Sequence, residues 1–256
     1  MIDEKEIFSR ASLLLGDDVM KRLATIRVIV FGVGGVGSWC AESLVRSGVK
    51  HLAIVDCDNV AVSNINRQLM ATTETVGQPK VEALKAHLLT VSPTAEIDAR
   101  REVFTAETAD NFDLDSYDYV IDAIDSLKDK VLLIERATES RAKFFSSMGA
   151  ALKLDPTRIK VAEFRNVIGC PLARALRQRF KKMGRWPRRK FLCVYSDELV
   201  ENKGVSEESL EVMPGIDGSK PSAKARINGS LMHITAIFGL TLAGLVINAQ
   251  CTIHNA

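Results

Sequence analysis

Residues 27–56 of this 256-residue chain read RVIVFGVGGVGSWCAESLVRSGVKHLAIVD. The segment begins with a short β-branched run, which is typical of a buried strand in a parallel sheet. A glycine-rich turn follows, then a helical stretch that ends at Gly48, then a second apolar run at residues 51–55. This order predicts a strand–helix–strand unit with a right-handed crossover.

The turn after the first predicted strand has the spacing G-x-G-x-x-G. Gly32, Gly34 and Gly37 supply the motif, and Gly35 lies between them. Glycines allow a tight turn and let a phosphate approach the backbone, while the N-terminus of the next helix favours negative charge. Asp56 ends the second predicted strand, at the spacing expected of a ligand for a ribose hydroxyl. These residues predict a nucleotide site, and taken alone they are equally typical of an NAD-binding domain.

Further strands and helices alternate along the chain. Strands are predicted at residues 95–103, 117–122 and 143–147, and helices at residues 80–91 and 130–141. Such alternation predicts an α/β protein with a Rossmann-like, doubly wound, mostly parallel sheet that binds ligands at the carboxyl ends of its strands. We expect a single domain, in which residues 1–150 form the nucleotide-binding core and residues 151–256 form a C-terminal α+β extension.

The side chains that follow Asp56 favour a nucleoside triphosphate over a dinucleotide. A triphosphate needs cationic donors for its distal phosphates and a carboxylate for Mg²⁺, whereas a dinucleotide needs neither beyond its pyrophosphate site. Arg67, Lys80 and Asp125 have these chemical types and lie near predicted strand ends. The residues therefore predict a nucleoside triphosphate and Mg²⁺ as cofactors, and the family resemblance described next implies that the triphosphate is ATP.

Five motifs in this order resemble the ubiquitin-activating-enzyme-like adenylyltransferases. They are GVGGVGS at residues 32–38, DCD at 56–58, NRQ at 66–68, GQPK at 77–80 and DAID at 122–125. The resemblance implies adenylation of a carboxylate, with Arg67, Lys80 and Asp125 as catalytic residues. It implies that Asp56 binds the ribose, that Asp125 coordinates Mg²⁺, and that the remaining nucleotide contacts come from the four loop glycines and from Asp58, Asn66, Arg67, Gln68, Lys80 and Arg10, the last reaching a partner subunit's site.

Other motifs extend the likeness toward the start of the chain and beyond residue 150. They are FSR at residues 8–10, LLLG at 13–16, LDPT at 154–157 and CVYS at 193–196, and they resemble the tRNA-modifying dehydratases of the same family. That resemblance implies adenylation of the threonylcarbamoyl carboxylate on an anticodon-loop adenosine, followed by loss of AMP as the group cyclises. It also implies a homodimer and is compatible with sulfur-transfer protein partners.

The formal net charge of +2 hides an uneven distribution of charge. Residues 151–190 carry thirteen Lys or Arg and only two acidic residues. A basic helical stretch binds phosphates or forms a solvated face, and an interspersed Trp can stack on an unpaired base. We expect this stretch to bind tRNA through Arg174, Arg177, Lys181, Lys182, Arg185, Trp186, Arg188, Arg189 and Lys190.

Three other interpretations stay open on the sequence. The first is activation of the C-terminal glycine of a ubiquitin-like sulfur-carrier protein, with Cys193 as the cysteine to test; the chain has no C-x-x-C pair of the kind common in those relatives. The second is an NAD-binding oxidoreductase, and the third is a non-catalytic nucleotide-binding module.

The compartment and two segments also carry expectations. The charged start and the five irregularly spaced cysteines predict a cytoplasmic protein. The apolar residues 231–247 favour a buried helix packed on the sheet over membrane attachment. Residues 198–225 are polar and predict a mobile loop.

Overall fold

A computed structural model describes residues 4–204 and 228–252, and most of the loop predicted at residues 198–225 lies outside them. The described residues form one seven-stranded sheet in the order β3-β2-β1-β4-β5-β7-β6, in which β6 alone runs antiparallel to its neighbour. The predicted fold class, a mostly parallel α/β sheet with a C-terminal extension, is confirmed. The strands are β1 Arg27–Phe31, β2 His51–Val55, β3 Glu96–Arg100, β4 Tyr119–Asp122, β5 Lys143–Ser147, β6 Ile159–Glu163 and β7 Leu192–Ser196.

Eight α-helices accompany the sheet in the described ranges. Their bounds are α1 Glu4–Ile7, α2 Ser9–Leu15, α3 Asp17–Thr25, α4 Gly37–Arg46, α5 Lys80–Val91, α6 Leu127–Glu139, α7 Pro171–Met183 and α8 Met232–Cys251. Successive side chains of β1 point to opposite faces of the sheet, so that Val28 and Val30 join the core under α3, α4, α5 and α8, while Ile29 and Phe31 join the core under α6 and α7. The sheet is therefore covered on both faces, as a parallel sheet requires.

Some element boundaries differ from those predicted. The third strand spans only residues 96–100, the fourth begins at Tyr119, and α6 begins at Leu127, earlier than expected. Residues 192–196 form β7, which the sequence indicated only as a motif. This strand pairs with β5 on one side and with β6 on the other, so its conformation depends on partners that are distant in sequence.

The apolar segment near the C-terminus forms α8, which packs on the sheet beside α4. Ile234, Phe238 and Leu242 are fully buried in the same core as β1 and β2. By length and mean hydropathy, 1.7, α8 is the one described helix that could span a membrane, but half of its most apolar window is buried inside the protein. Its packing is that of the predicted core helix.

A glycine sets the approach of α8 to α4. A Cβ atom on Gly239 would lie 2.3 Å from the Val36 carbonyl oxygen and 2.8 Å from the Cys40 nitrogen. Both contacts are to backbone atoms, which cannot move aside without shifting α4. The helix that begins at the glycine-rich turn is thus held in place from behind by α8.

We expect Gly239→Ala to lower the free energy of unfolding by about 1–3 kcal/mol, because the added methyl overpacks the α4–α8 contact. Gly244→Ala is the matched control, since a Cβ there meets no atom within 4 Å. That control should raise stability by about 0.5–1 kcal/mol, the usual gain when alanine replaces glycine in a helix. Thermal unfolding measures both, and equal shifts in Tm would contradict the close-packing argument.

Candidate active site

A cavity of about 670 Å³ opens at the carboxyl ends of β1, β2, β4 and β5. This is the edge of a doubly wound sheet at which ligands bind. Most of the residues predicted for the nucleotide site line it. They are Gly32, Gly34, Gly35, Asp56, Asp58, Arg67, Gln68, Lys80 and Asp125.

The glycine loop leaves no room for side chains at its two ends. Gly32 has a φ of +82°, and a Cβ on it would lie 2.8 Å from the Ala123 carbonyl oxygen. A Cβ on Gly37 would lie 1.8 Å from the carbonyl oxygen of Gly32. Gly37 therefore closes the turn at the start of α4, while Gly34 and Gly35 present backbone to the cavity.

Two aspartates and a lysine form a charged cluster beside that loop. Asp56 accepts hydrogen bonds from the Val33 amide at 2.9 Å and the Asp58 amide at 3.0 Å. Lys80 Nζ lies 2.7 Å from Asp58 Oδ2 and 3.8 Å from Asp56 Oδ1. Burial raises the pKa of Asp56, whereas the hydrogen bond from Lys80 lowers the pKa of Asp58. The nearly buried ammonium is thus held at the cavity wall by carboxylates.

Arg67 lies on the same wall and is oriented by its neighbours. Its Nη1 donates to the Ser63 carbonyl at 2.8 Å and to Asn66 Oδ1 at 3.0 Å, while Asn66 Nδ2 donates to the Ser230 carbonyl at 3.0 Å. Asn66 therefore orients the guanidinium and does not itself line the cavity. Gln68 is buried at the wall, and its Oε1 has no hydrogen-bond partner among the described residues.

The turn after β4 carries the predicted metal ligand. Asp125 is exposed at the cavity, and Asp129, from the first turn of α6, lines the same cavity. Asp129 was not among the predicted residues, although its position four residues after Asp125 was a usable signal. Carboxylate oxygens are the ligands that Mg²⁺ prefers, so this pair has suitable donor chemistry.

One side of the cavity was not predicted at all. It consists mostly of small or polar residues from two segments. One segment lies at the end of β5, and the other, about 80 residues further along the chain, lies at the start of α8. They are Ser147, Met148, Gly149, Ala150, Ala151, Asn228, Ser230 and Thr235. The rule that ligands bind at strand carboxyl ends would have indicated the first five, but no local pattern indicates the last three.

Comparison with known proteins identifies the family of this chain. A model of the ThiF family matches residues 8–253. The chain belongs to the ThiF family. Its resemblance to the ubiquitin-activating-enzyme-like adenylyltransferases, inferred above from five motifs, is confirmed.

Several relatives have names that state their function. The tRNA threonylcarbamoyladenosine dehydratase of Bacillus subtilis is 36% identical over 94% of this chain and 92% of its own length. The E. coli tRNA N6-threonylcarbamoyladenosine dehydratase in complex with ATP is 28% identical, with a TM-score of 0.82 over 98% of each chain, and its complex with AMP has a TM-score of 0.85. The sulfur carrier protein adenylyltransferase of Thermus thermophilus matches 53% of this chain and 50% of its own length at 34% identity.

Two residues of this ThiF-family chain lie away from the cavity. Arg10 is exposed on α2 and does not line its own chain's cavity. Cys193 is fully buried in β7, and burial raises the pKa of its thiol well above the ordinary value. A buried thiol that resists ionisation is a poor nucleophile, so the structure gives no support to thioester chemistry at Cys193.

The basic stretch of the ThiF-family chain is divided between structural and exposed cations. Arg189 donates to the carbonyls of Ala137, Thr138, Ser140 and Ala142 and so satisfies the C-terminal end of α6. Others of the nine predicted tRNA contacts also have internal partners: Arg177 donates to the Phe164 carbonyl, Arg185 lies 3.4 Å from Glu135, and the Trp186 ring contacts Phe180 and Arg165. The exposed cations of the set that have no internal side-chain partner among the described residues are Arg174, Lys181, Lys182, Arg188 and Lys190.

We expect Lys80→Met to raise the pKa of Asp58 toward its ordinary value, because the variant removes the hydrogen bond that lowers it. Lys85→Met is the matched control on the same helix, since Lys85 lines a different cavity at the amino ends of β1, β2 and β3. Carboxyl-carbon NMR titration measures both variants. An Asp58 pKa that does not move in Lys80→Met would show that Lys80 does not hold this carboxylate.

Proposed function

We propose that this chain is an ATP-dependent enzyme that adenylates the carboxylate of tRNA N6-threonylcarbamoyladenosine and thereby drives its cyclising dehydration. The observation that carries the proposal is the cavity, which brings the glycine loop, Asp56, Arg67, Lys80 and Asp125 to one edge of the sheet. Relatives named for this reaction match nearly the whole chain, and one of them is known in complexes with ATP and AMP.

The residue types fit the chemistry of adenylation. The substrate carboxylate attacks the α-phosphorus of ATP, the bond to the β-phosphate oxygen breaks, and pyrophosphate leaves. Negative charge builds on phosphate oxygens, and Lys80 and Arg67 lie on the cavity wall where they can neutralise it. Asp56 would fix the ribose and the glycine loop would bind the phosphates, so that positioning supplies much of the remaining rate enhancement.

The acyl-adenylate needs no protein nucleophile. A neighbouring nitrogen or oxygen of the threonylcarbamoyl group attacks the activated carbonyl, a ring closes, and AMP departs with the former carboxylate oxygen. This route agrees with the burial of Cys193. The wall of small residues that follows β5 leaves space in the same cavity for the group being cyclised.

Magnesium is part of this proposal. Asp125 would hold the ion, and Asp129 stands close enough in sequence and at the same cavity to assist it. When bound, Mg²⁺ would offset the charge of the departing pyrophosphate.

The alternatives receive less support. Likeness to the sulfur carrier adenylyltransferase covers only half of the chain, and Cys193, the cysteine predicted for thioester chemistry, is buried. An NAD-binding oxidoreductase or a non-catalytic nucleotide-binding module has no evident use for Arg67, Lys80 and Asp125 around one cavity.

AMP formation tests the substrate and the site together. We expect AMP with tRNA that carries the threonylcarbamoyl modification, and none with a sulfur-carrier protein or with unmodified tRNA. Asp125→Ala should slow AMP formation by at least about a hundredfold, since it removes the proposed metal ligand. Asp110→Ala, at an exposed surface carboxylate, is the control and should keep full activity. AMP formed only with the carrier protein would refute the proposed substrate.

We further propose that the exposed cations of residues 174–190 bind the tRNA. Lys181 and Lys182 end α7 on its outer face, and Arg188 and Lys190 continue the charge beyond the helix. Residues 174–190 contain no acidic residue, although a face that is merely solvated does not need charges of a single sign. Because Arg189 is committed to the end of α6, phosphate binding falls to its exposed neighbours.

The double variant Lys181→Glu/Lys182→Glu should weaken tRNA binding and reduce its salt slope by about two, one for each lost phosphate contact. Lys21→Glu/Lys85→Glu changes the net charge equally at positions outside the basic stretch and is the control. Filter binding at several salt concentrations measures both variants. Equal effects of the two would contradict specific tRNA binding by residues 174–190 and leave them only a share in the overall charge.

The remaining proposals concern assembly and compartment. A homodimer is supported by Leu13 and Leu14 of α2, which are 82% and 85% exposed beside Arg10, and light scattering reports such an association directly. In that dimer Arg10 would reach the partner subunit's nucleotide.

A cytoplasmic location is supported by the five free thiols. Sulfur-transfer proteins stay a proposed class of partner, resting on the family resemblance alone.

The division of the chain into a core and an extension is also our proposal. Residues 1–150 contain β1 to β5 and all the phosphate-binding motifs, whereas residues 151–256 contain β6, β7, α7 and α8. Because β7 pairs with β5 and both cores of the sheet contain residues from the two parts, the parts share one sheet and both of its cores, which supports a single domain.

A further inference from the structure

A fully buried ion pair lies directly beneath the turn that carries Asp125. Lys130 Nζ lies 2.8 Å from Asp122 Oδ2, and neither side chain has any exposed surface. Asp122 is the last residue of β4, and Lys130 lies one turn into α6. The pair therefore joins the two elements that flank the turn of residues 123–126.

Every other bond of this pair fixes the same turn or its support. Lys130 Nζ donates to the Ile124 carbonyl at 2.8 Å, and the Ile124 amide donates to Asp122 Oδ1 at 3.0 Å. Ser146 of β5 donates to Asp122 Oδ2 at 2.6 Å. Both polar groups of the Ile124 peptide backbone are thus held, immediately before Asp125.

Stability alone is a weak reason for such a pair. Removing two charges from water is costly, and apolar residues of similar volume often stabilise a core equally well. The pair does restrict geometry, because an ammonium with two fixed acceptors and a carboxylate with three fixed donors leave the turn few alternatives. The same turn packs against the glycine loop, since the Ala123 carbonyl fills the space beside Gly32.

We infer that Lys130 and Asp122 are positioning residues, which hold the Asp125 carboxylate and the adjoining glycine loop in the geometry that the magnesium–ATP complex requires. The inference rests on the proposed function, because it takes Asp125 as the metal ligand. Groups that orient metal ligands in this way typically change metal affinity by about 10- to 100-fold when they are replaced.

The test is the affinity for ATP, measured by calorimetry with Mg²⁺ and again with EDTA. The variant is Asp122→Asn/Lys130→Met, which removes both charges at once and leaves no uncompensated buried ion. We expect it to lose about tenfold or more of the gain in ATP affinity that Mg²⁺ gives, with little change in metal-free ATP binding. Lys128→Met, at an exposed lysine of the same helix, should keep the full gain.

Asp125→Ala separates the two levels of the argument. Suppose that Asp125→Ala loses the gain in ATP affinity that Mg²⁺ gives, whereas the double variant Asp122→Asn/Lys130→Met keeps it. The positioning role is then wrong and the proposed function stands. If Asp125→Ala keeps the gain, the assignment of Asp125 as metal ligand is wrong, and the positioning role fails with it. If the neutral pair does not fold, hydrogen exchange of the wild-type Ile124 amide decides: slow exchange without ligand is expected, and fast exchange would overturn the inference.

Discussion

The contact between the glycine loop and the turn after β4 is the constraint on which the site depends. The two backbones meet so closely at Gly32 and Ala123 that no side chain fits between them. This contact sets the distance between the loop proposed to bind phosphate and the carboxylates that follow β4. The structure fixes each side of it independently, with α8 packing behind α4 and the Lys130–Asp122 pair beneath the turn.

Local sequence determined those parts of the fold in which propensity and burial agree. The apolar runs at residues 27–31 and 51–55 are strands over those same residues, and the helix predicted at residues 80–91 has the predicted bounds. In each case a glycine, a proline or a change in hydropathy marks the end. β7 was missed because a five-residue strand between two partners owes its conformation to long-range pairing.

The candidate site was likewise predictable only where local sequence signals mark its residues. Residues in ordered motifs, such as Asp56 and Lys80, could be placed from strand ends and spacing. Ser230 and Thr235 could not, because only the packing of α8 brings them to the cavity. Charge density likewise cannot distinguish Arg189, which satisfies carbonyls at the end of α6, from Lys181, which faces solvent.

The pairing of Lys80 with Asp58 and Asp56 has a consequence for how the cavity chooses its occupant. The ammonium has anionic neighbours within the protein, and the guanidinium of Arg67 donates hydrogen bonds to Ser63 and Asn66. A phosphate that offers charge alone must compete with these internal partners and therefore gains little binding free energy. In the proposed site a nucleotide also brings a ribose for Asp56 and phosphate oxygens for the loop amides, so it can displace these internal partners. An enzyme that handles a polyanion as long as tRNA can in this way keep the substrate's own backbone out of its catalytic centre.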